Sequence, residues 1–333
     1  MKIDTNKKQY ILCCAAFILG CLFSYVLITI TKASGTNTVD NYAIRKTLTG
    51  KLISPLLLGG DNQVLYDNGV LFKSIKGYIN TSTNNGDTTN ISVYFKNLTS
   101  GAWFGVNEND HYAPASLMKV PIMIAVFKEA ESNHKLLEQE IYYDGKNDLN
   151  TEEYYKPQDK ILPGHSYSVE SLIGYMINYS DNNATRLLLS VTPQNNLTEI
   201  FTDLGLPIPN DNTTGTVDYM SDKLYSRLFR VLYNSTYLNE EYSEKALRIL
   251  VNPDFPNGII APLPKSVSVA NKFGERTVYD NKGVALYREL HDCGIIYKDS
   301  SPYLLCIMTK GSDFKSLESI IQAISKLAYS KTN

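Results

Sequence analysis

The chain opens on an unbroken apolar run. From Tyr10 to Ile30, 21 residues pass without a charge, the length a helix needs to cross a bilayer. After it the pattern breaks into shorter periods. Asp67–Ile79 carries Val70, Leu71, Ile75 and Ile79 near helical spacing. Asn80–Asn90 is polar and turn-rich and reads as a loop. Ile91–Lys96 and Ala102–Val106 alternate apolar and polar positions around Ser100-Gly101, which predicts a β-hairpin. From Ser116 to about Glu131 the period turns helical, and helices are expected at Ser168–Asn178, Asn183–Val191, Pro193–Leu204, Val217–Tyr233 and Glu240–Val251. Strand patterns return at Ser266–Lys272, Leu290–Tyr297 and Tyr303–Thr309, the last two joined by a turn at Lys298–Pro302. A closing amphipathic helix from about Asp313 to Tyr329 sets Leu317, Ile320, Ile321, Ile324 and Leu327 on one face.

Strands at both ends of this order can join into one antiparallel sheet with the helical middle inserted as a lobe. The expected class is therefore α+β: an antiparallel sheet flanked by N- and C-terminal helices, with an all-helical lobe, preceded by one transmembrane helix. The expected division is a cytoplasmic tail at 1–9, an anchor at 10–31, a linker and extended segment at 32–65, and one domain over 66–333. Lys2, Lys7 and Lys8 precede the apolar run against the single Asp4, so the positive-inside bias leaves everything after Lys32 outside the cytoplasm. A cleaved signal peptide would have a shorter apolar core and a small-residue cleavage site. A lipoprotein signal at Gly20-Cys21 would have to accommodate the bulky Leu19 and nine mostly apolar residues after Cys21. An uncleaved, single-pass anchor fits best.

Composition narrows the function classes. The 333 residues are 43% hydrophobic and 20% charged, with a net charge of −2; that is ordinary globular usage, with no basic footprint for nucleic acid. Cys13, Cys14 and Cys21 lie in the apolar run, leaving Cys293 and Cys306 in the exported part. There is no C-x-x-C pair, and the four histidines lack metal-ligand spacing, so neither a metal nor another cofactor is expected. If Tyr297 pairs with Tyr303 across the last turn, Cys293 and Cys306 are offset by one and face opposite sides of the sheet. The expectation is two free, buried thiols.

Three short motifs carry the candidate chemistry. In Pro114-Ala115-Ser116-Leu117-Met118-Lys119, a helix beginning near Ser116 brings the Lys119 amine to the Ser116 hydroxyl. A serine needs a neighbouring base to act as a nucleophile, and a buried lysine near other cations can be held neutral for that purpose. Alone, the pattern is as well explained by an N-cap serine and a solvated lysine. Ser180-Asp181-Asn182 lies on a turn between two helices, where a hydroxyl could pass a proton and an amide could hold a substrate amide; all three residue types are also ordinary N-caps. Lys272-Phe273-Gly274 lies in a strand, where a glycine permits close approach of a substrate backbone.

Together, the order and context of these motifs resemble the S-x-x-K, S-D-N and K-T-G of class A β-lactamases and penicillin-binding proteins. The resemblance covers roughly Ile91 to the C-terminus. It implies that Ser116 is acylated, that Lys119 is its base or part of a proton relay, and that Ser180 carries protons to the leaving group. It further implies that Asn182 binds the substrate's side-chain amide, that Lys272 sets the electrostatics near Ser180 and the substrate carboxylate, and that the N–H groups of Ser116 and Glu275, beside Gly274, form an oxyanion hole.

The chain departs from that pattern twice. Phe273 stands where the family has Thr or Ser, removing a hydroxyl that would hold the substrate carboxylate; Arg276 is the nearby substitute. The E-x-x-L-N loop that supplies the deacylation glutamate of class A enzymes is absent, and Glu199 is the only Glu between Asn183 and Thr216. The expected function is a membrane-anchored β-lactamase-like serine hydrolase that forms an acyl-enzyme with a β-lactam or a peptidoglycan stem peptide. The alternatives are a D,D-peptidase with slow deacylation and a non-catalytic binding or sensor domain.

Overall fold

The structure is a computed structural model that describes residues 44–46, 48–58, 69–84, 88–151, 153–208 and 217–332. The predicted anchor at 10–31 and the loop containing Asp211 lie outside the described residues. In chain order the elements are β1 (Ile44–Arg45), β2 (Leu56–Leu58), α1 (Val70–Asn84), β3 (Thr88–Asn97), β4 (Trp103–Val106), α2 (Lys119–Ser132), β5 (Glu140–Tyr143), β6 (His165–Ser168), α3 (Val169–Asn178), α4 (Asn182–Val191), α5 (Gln194–Asp203), α6 (Asp222–Asn234), α7 (Glu240–Leu250), β7 (Val269–Tyr279), β8 (Ala285–Ile296), β9 (Tyr303–Gly311) and α8 (Phe314–Lys331).

Five strands form one antiparallel sheet in the order β4-β3-β9-β8-β7. Because side chains alternate along a strand, each strand feeds two cores. Ile91, Val93 and Phe95 of β3 and Leu305 and Ile307 of β9 pack with α1 and with Leu317, Ile321 and Ile324 of α8. On the opposite face, Tyr94, Leu304, Cys306 and Met308 meet the helical lobe. The expected α+β class, an antiparallel sheet with flanking helices and a helical lobe, therefore holds for the described residues, with differences at the edges. Helix α1 continues through residue 84, into the segment expected to be loop, and Val70 is 69% exposed while Leu71, Ile75 and Ile79 are buried. The small β5–β6 hairpin was not expected. Its strands are short and mostly exposed, so they carry no clear alternation.

Local chemistry explains where the helices start. Ser168, Asp181, Ser221, Asn239 and Asp313 each cap the helix that follows by accepting a backbone N–H, which supplies a partner for donors the first turn leaves unpaired. Part of the stretch expected to be linker is built into the domain. Arg45 Nη1 donates to Ser54 O and Asn234 Oδ1, and the Leu52 and Ile53 amides donate to Glu244 Oε2.

The cysteine expectation is overturned. Cys293 and Cys306 are directly opposed and joined by a disulfide. The turn is one residue longer than the sequence suggested: Ile296, not Tyr297, pairs with Tyr303, and the Tyr297 amide donates to Ser268 O on the other side of the strand. Shifting the register by one puts both side chains on the same face. Thiol counting on the unfolded, non-reduced chain from residue 43 onward should find no free thiol. Replacing both cysteines with Ala should lower unfolding stability in urea by about 2–4 kcal/mol.

Candidate active site

Ser116 lies in a 3-10 turn, Ala115–Met118, and Lys119 is the first residue of α2. The helix was expected to begin at Ser116 itself; the tighter turn serves the chemistry better, since residues three apart eclipse in 3-10 geometry. Lys119 Nζ stands 2.8 Å from Ser116 Oγ. The preceding Ala115 is held at φ 48°, in the left-handed region, a conformation that persists only where the surroundings enforce it. Three contacts do so. Tyr225 Oη donates to Leu117 O at 2.8 Å. His291 Nε2 donates to Ala113 O at 3.0 Å, its Nδ1 accepting the Thr309 amide; burial keeps this ring neutral, with its pKa down at about 4. Gly274 on β7 closes against the third side, where a Cβ would come within 2.7 Å of Pro114 O and 3.0 Å of Leu117 N.

Both contacts at Gly274 are backbone, so a methyl there must displace the turn. Gly274→Ala should therefore cut the rate of Ser116 acylation by about 10²-fold, the scale of an ångström's misplacement. Melting should shift by only a few degrees, as read by paired labelling and thermal denaturation.

Ser180 also has a left-handed backbone, φ 60°. Its neighbour Asp181 is fully buried and holds the turn. Oδ1 accepts the amides of Asn183 and Ala184 and the Asn150 side chain, and Oδ2 accepts the Ile161 amide. The capping reading of Ser180-Asp181-Asn182 holds for Asp181, which caps α4, while Ser180 and Asn182 face Lys119. Lys119 Nζ lies 2.6 Å from Ser180 O, 2.9 Å from Ser180 Oγ and 2.7 Å from Asn182 Oδ1. Lys272 Nζ reaches Ser180 Oγ at 3.1 Å from the other side.

The amine of Lys119 has three vertices besides its carbon. Two must donate, to Ser180 O and Asn182 Oδ1, which only accept. The third faces the hydroxyls, and in the neutral amine it is a lone pair positioned to accept a proton from Ser116 Oγ. Burial lowers the Lys119 pKa to about 8, against the opposing pull of the Glu153, Asp181 and Glu275 carboxylates. Of the burial and neighbouring cations expected together from the sequence, burial is the main cause. Lys272 is depressed well below its ordinary value, by burial first and by Lys119 second.

These groups open onto a cavity of about 900 Å³ lined by Ser116, Lys119, Glu153, Asn182, Glu275, Arg276 and Thr277, among others. Three features differ from the sequence expectation. Phe273 turns away from the cavity and stacks on Phe255 at 4.1 Å in the α1/α8 core, as strand alternation requires of a residue between Lys272 and Gly274. Arg276, expected as a carboxylate partner, lies 3.5 Å from both Asp218 and Glu289. Asn182, expected to donate to a substrate amide, already donates to Leu149 O at 3.1 Å and Glu153 Oε1 at 2.8 Å.

Glu153 escaped sequence reasoning. It comes from the segment 144–164 between β5 and β6, which has no periodicity and no spacing that ties it to the motifs. The length of that segment, with little regular structure, was the available sign. Burial raises the Glu153 pKa, opposed mainly by Lys119. Glu275, whose carboxylate accepts the Tyr155 amide, is pushed up to about 6 by burial. Glu199 is exposed on α5 and does not line the cavity.

The family model of the β-lactamase enzyme family matches residues 71–332. No curated protein matches the chain. Among solved structures, PBP-A superposes with a TM-score of 0.65 at 21% identity, covering 80% of this chain and 97% of that one. A mutant PBP-A solved as an acyl-enzyme complex with penicillin G gives 0.65 at 22%, over 81% and 98%. A class A β-lactamase representative from Bacteroides cellulosilyticus DSM 14838 gives 0.65 at 19%, over 79% and 99%. At these identities the superpositions speak for the fold. The family match spans most of the chain, nearly all of the domain that carries Ser116, Lys119, Ser180 and Lys272, and the chain belongs to the β-lactamase enzyme family.

Proposed function

We propose that this chain is an acyl-serine enzyme acting on β-lactams or related cell-wall peptides, anchored in the membrane by residues 10–31 with its domain outside the cytoplasm. The observation that carries the reading is the Lys119 amine, within 2.6–2.9 Å of Ser116 Oγ, Ser180 O, Ser180 Oγ and Asn182 Oδ1 at the floor of an open cavity. Ser116 Oγ attacks the acyl carbon and its proton passes to Lys119 Nζ. The oxyanion is held by the N–H groups of Ser116 and Glu275, on two segments that Gly274 allows to meet. As the oxyanion collapses, the acyl C–N bond breaks. The leaving nitrogen takes a proton from Ser180 Oγ, which is replenished from Lys119. The net result is a Ser116 ester and a released amine, with the lysine neutral again. Lys272, on the far side of Ser180, donates to its Oγ and fixes that hydroxyl's position.

Intact-protein mass spectrometry after incubation with a penicillin, followed by peptide mapping, tests the reading. A covalent adduct on Ser116 is expected, and an adduct elsewhere with Ser116 unmodified would sink it. A penicillin-binding role with slow release is favoured over a fast β-lactamase by one observation: Glu199, the one glutamate between Asn183 and Thr216, is exposed on α5 and does not line the cavity. The placement outside the cytoplasm is supported by the Cys293–Cys306 disulfide, a bond suited to oxidising compartments. External protease should degrade the domain on intact spheroplasts; its protection would refute the topology.

A further inference from the structure

Asn182 has no free N–H donor to offer a substrate. Its Oδ1 accepts from Lys119 at 2.7 Å. A primary amide carries two N–H donors, and these go to Leu149 O at 3.1 Å and Glu153 Oε1 at 2.8 Å. Glu153 itself lines the cavity with Ser116, and its Oε2 is enclosed without a hydrogen-bond partner. A substrate that presents an amide carbonyl to this wall meets a carboxylate instead of a donor. Two oxygens that can only accept repel, whereas an ammonium facing this wall would be attracted by the carboxylate's charge.

The other charges facing the cavity leave this opening to the substrate. The nearby amines, Lys119 and Lys272, are fully buried and both are depressed toward the neutral form. Arg276 is engaged by Asp218 and Glu289. The remaining lining carboxylate, Glu275, accepts the Tyr155 amide and adds further negative charge to the same cavity.

We propose that Glu153 is the specificity-determining residue of this site, selecting acyl donors that carry an ammonium beside the acyl-side amide: amino-substituted β-lactams, or cell-wall peptides with a free amine at that position. The inference rests on the acyl-serine reading above.

Two penicillins that differ only by one amine, aminobenzylpenicillin and benzylpenicillin, test it on the full chain under conditions in which the amine is protonated. Second-order rates of Ser116 labelling are read by intact mass. The aminated compound should react about tenfold faster or more, the scale of one hydrogen bond to a charged group. In the Glu153→Gln protein the ratio should collapse toward one. A purely structural role would slow both compounds equally and leave the ratio unchanged. Equal rates in the wild-type protein, or an unchanged ratio in the variant, overturn the selectivity while leaving the acyl-serine reading intact. Slower release of the adduct in the variant with the ratio preserved makes Glu153 a deacylation base and overturns it equally. If neither compound labels Ser116, the acyl-serine reading fails and the selectivity falls with it.

Discussion

Acylation of Ser116 should rise about tenfold per pH unit through neutrality and level off above pH 8. The base is the neutral amine of Lys119, and burial sets its pKa at about 8. Below that value the amine holds a proton and its lone pair is unavailable; above it the base is free. The direction is therefore loss of rate as pH falls. Lys119→Met should lower the labelling rate by about 10²–10⁴-fold and remove this pH dependence. Because the substitution also leaves Ser180 O and Asn182 Oδ1 without their donor, circular dichroism must accompany it. The wild-type profile stands independently of the variant's folding. A rate already flat from pH 6 upward would exclude Lys119 as the base.

Once formed, the acyl-enzyme should persist. With a chromogenic cephalosporin, stopped-flow should record a burst of about one equivalent followed by a slow steady state. Hydrolysis of the ester needs a base against a water, and absence of such a base costs about 10²–10⁴-fold. Among the described residues two carboxylates line the cavity: Glu153 accepts from Asn182 through Oε1 and has its Oε2 enclosed, and Glu275 accepts the Tyr155 amide. Glu199, the one glutamate in the segment where class A enzymes carry theirs, is exposed on α5, so Glu199→Gln should leave the slow phase unchanged. Linear, fast turnover without a burst would overturn the expectation. Loss of turnover in Glu199→Gln would overturn the reading of that residue.

Much of this was legible in the chain. The alternation of Ile91, Val93 and Phe95 and the helical spacing of Leu317, Ile321 and Ile324 record burial on one face, and burial on one face is what a sheet and its covering helices share. The caps at Ser168, Asp181 and Asp313 are local events, settled by a side chain and amides two or three residues on. The Ser116–Lys119 pair is local in the same sense: three residues of tight turn bring the two atoms to 2.8 Å.

Other features depend on distances no local pattern encodes. Cys293 and Cys306 face each other because Ile296 rather than Tyr297 is opposite Tyr303, a choice made between strands, and one residue of register reverses the outcome. Whether Arg276 could serve a substrate depended on Asp218 and Glu289, 58 and 13 positions away along the chain. Asn182 reads as a substrate donor until Leu149 and Glu153, some thirty residues earlier, are seen to occupy it. By itself the sequence determined which residues could carry the chemistry, since periodicity and short motifs act through near neighbours. The tertiary structure alone decided which of their hydrogen-bonding groups remain for a substrate, because a donor or acceptor is used up by whatever folding brings within about 3 Å of it, however distant in sequence.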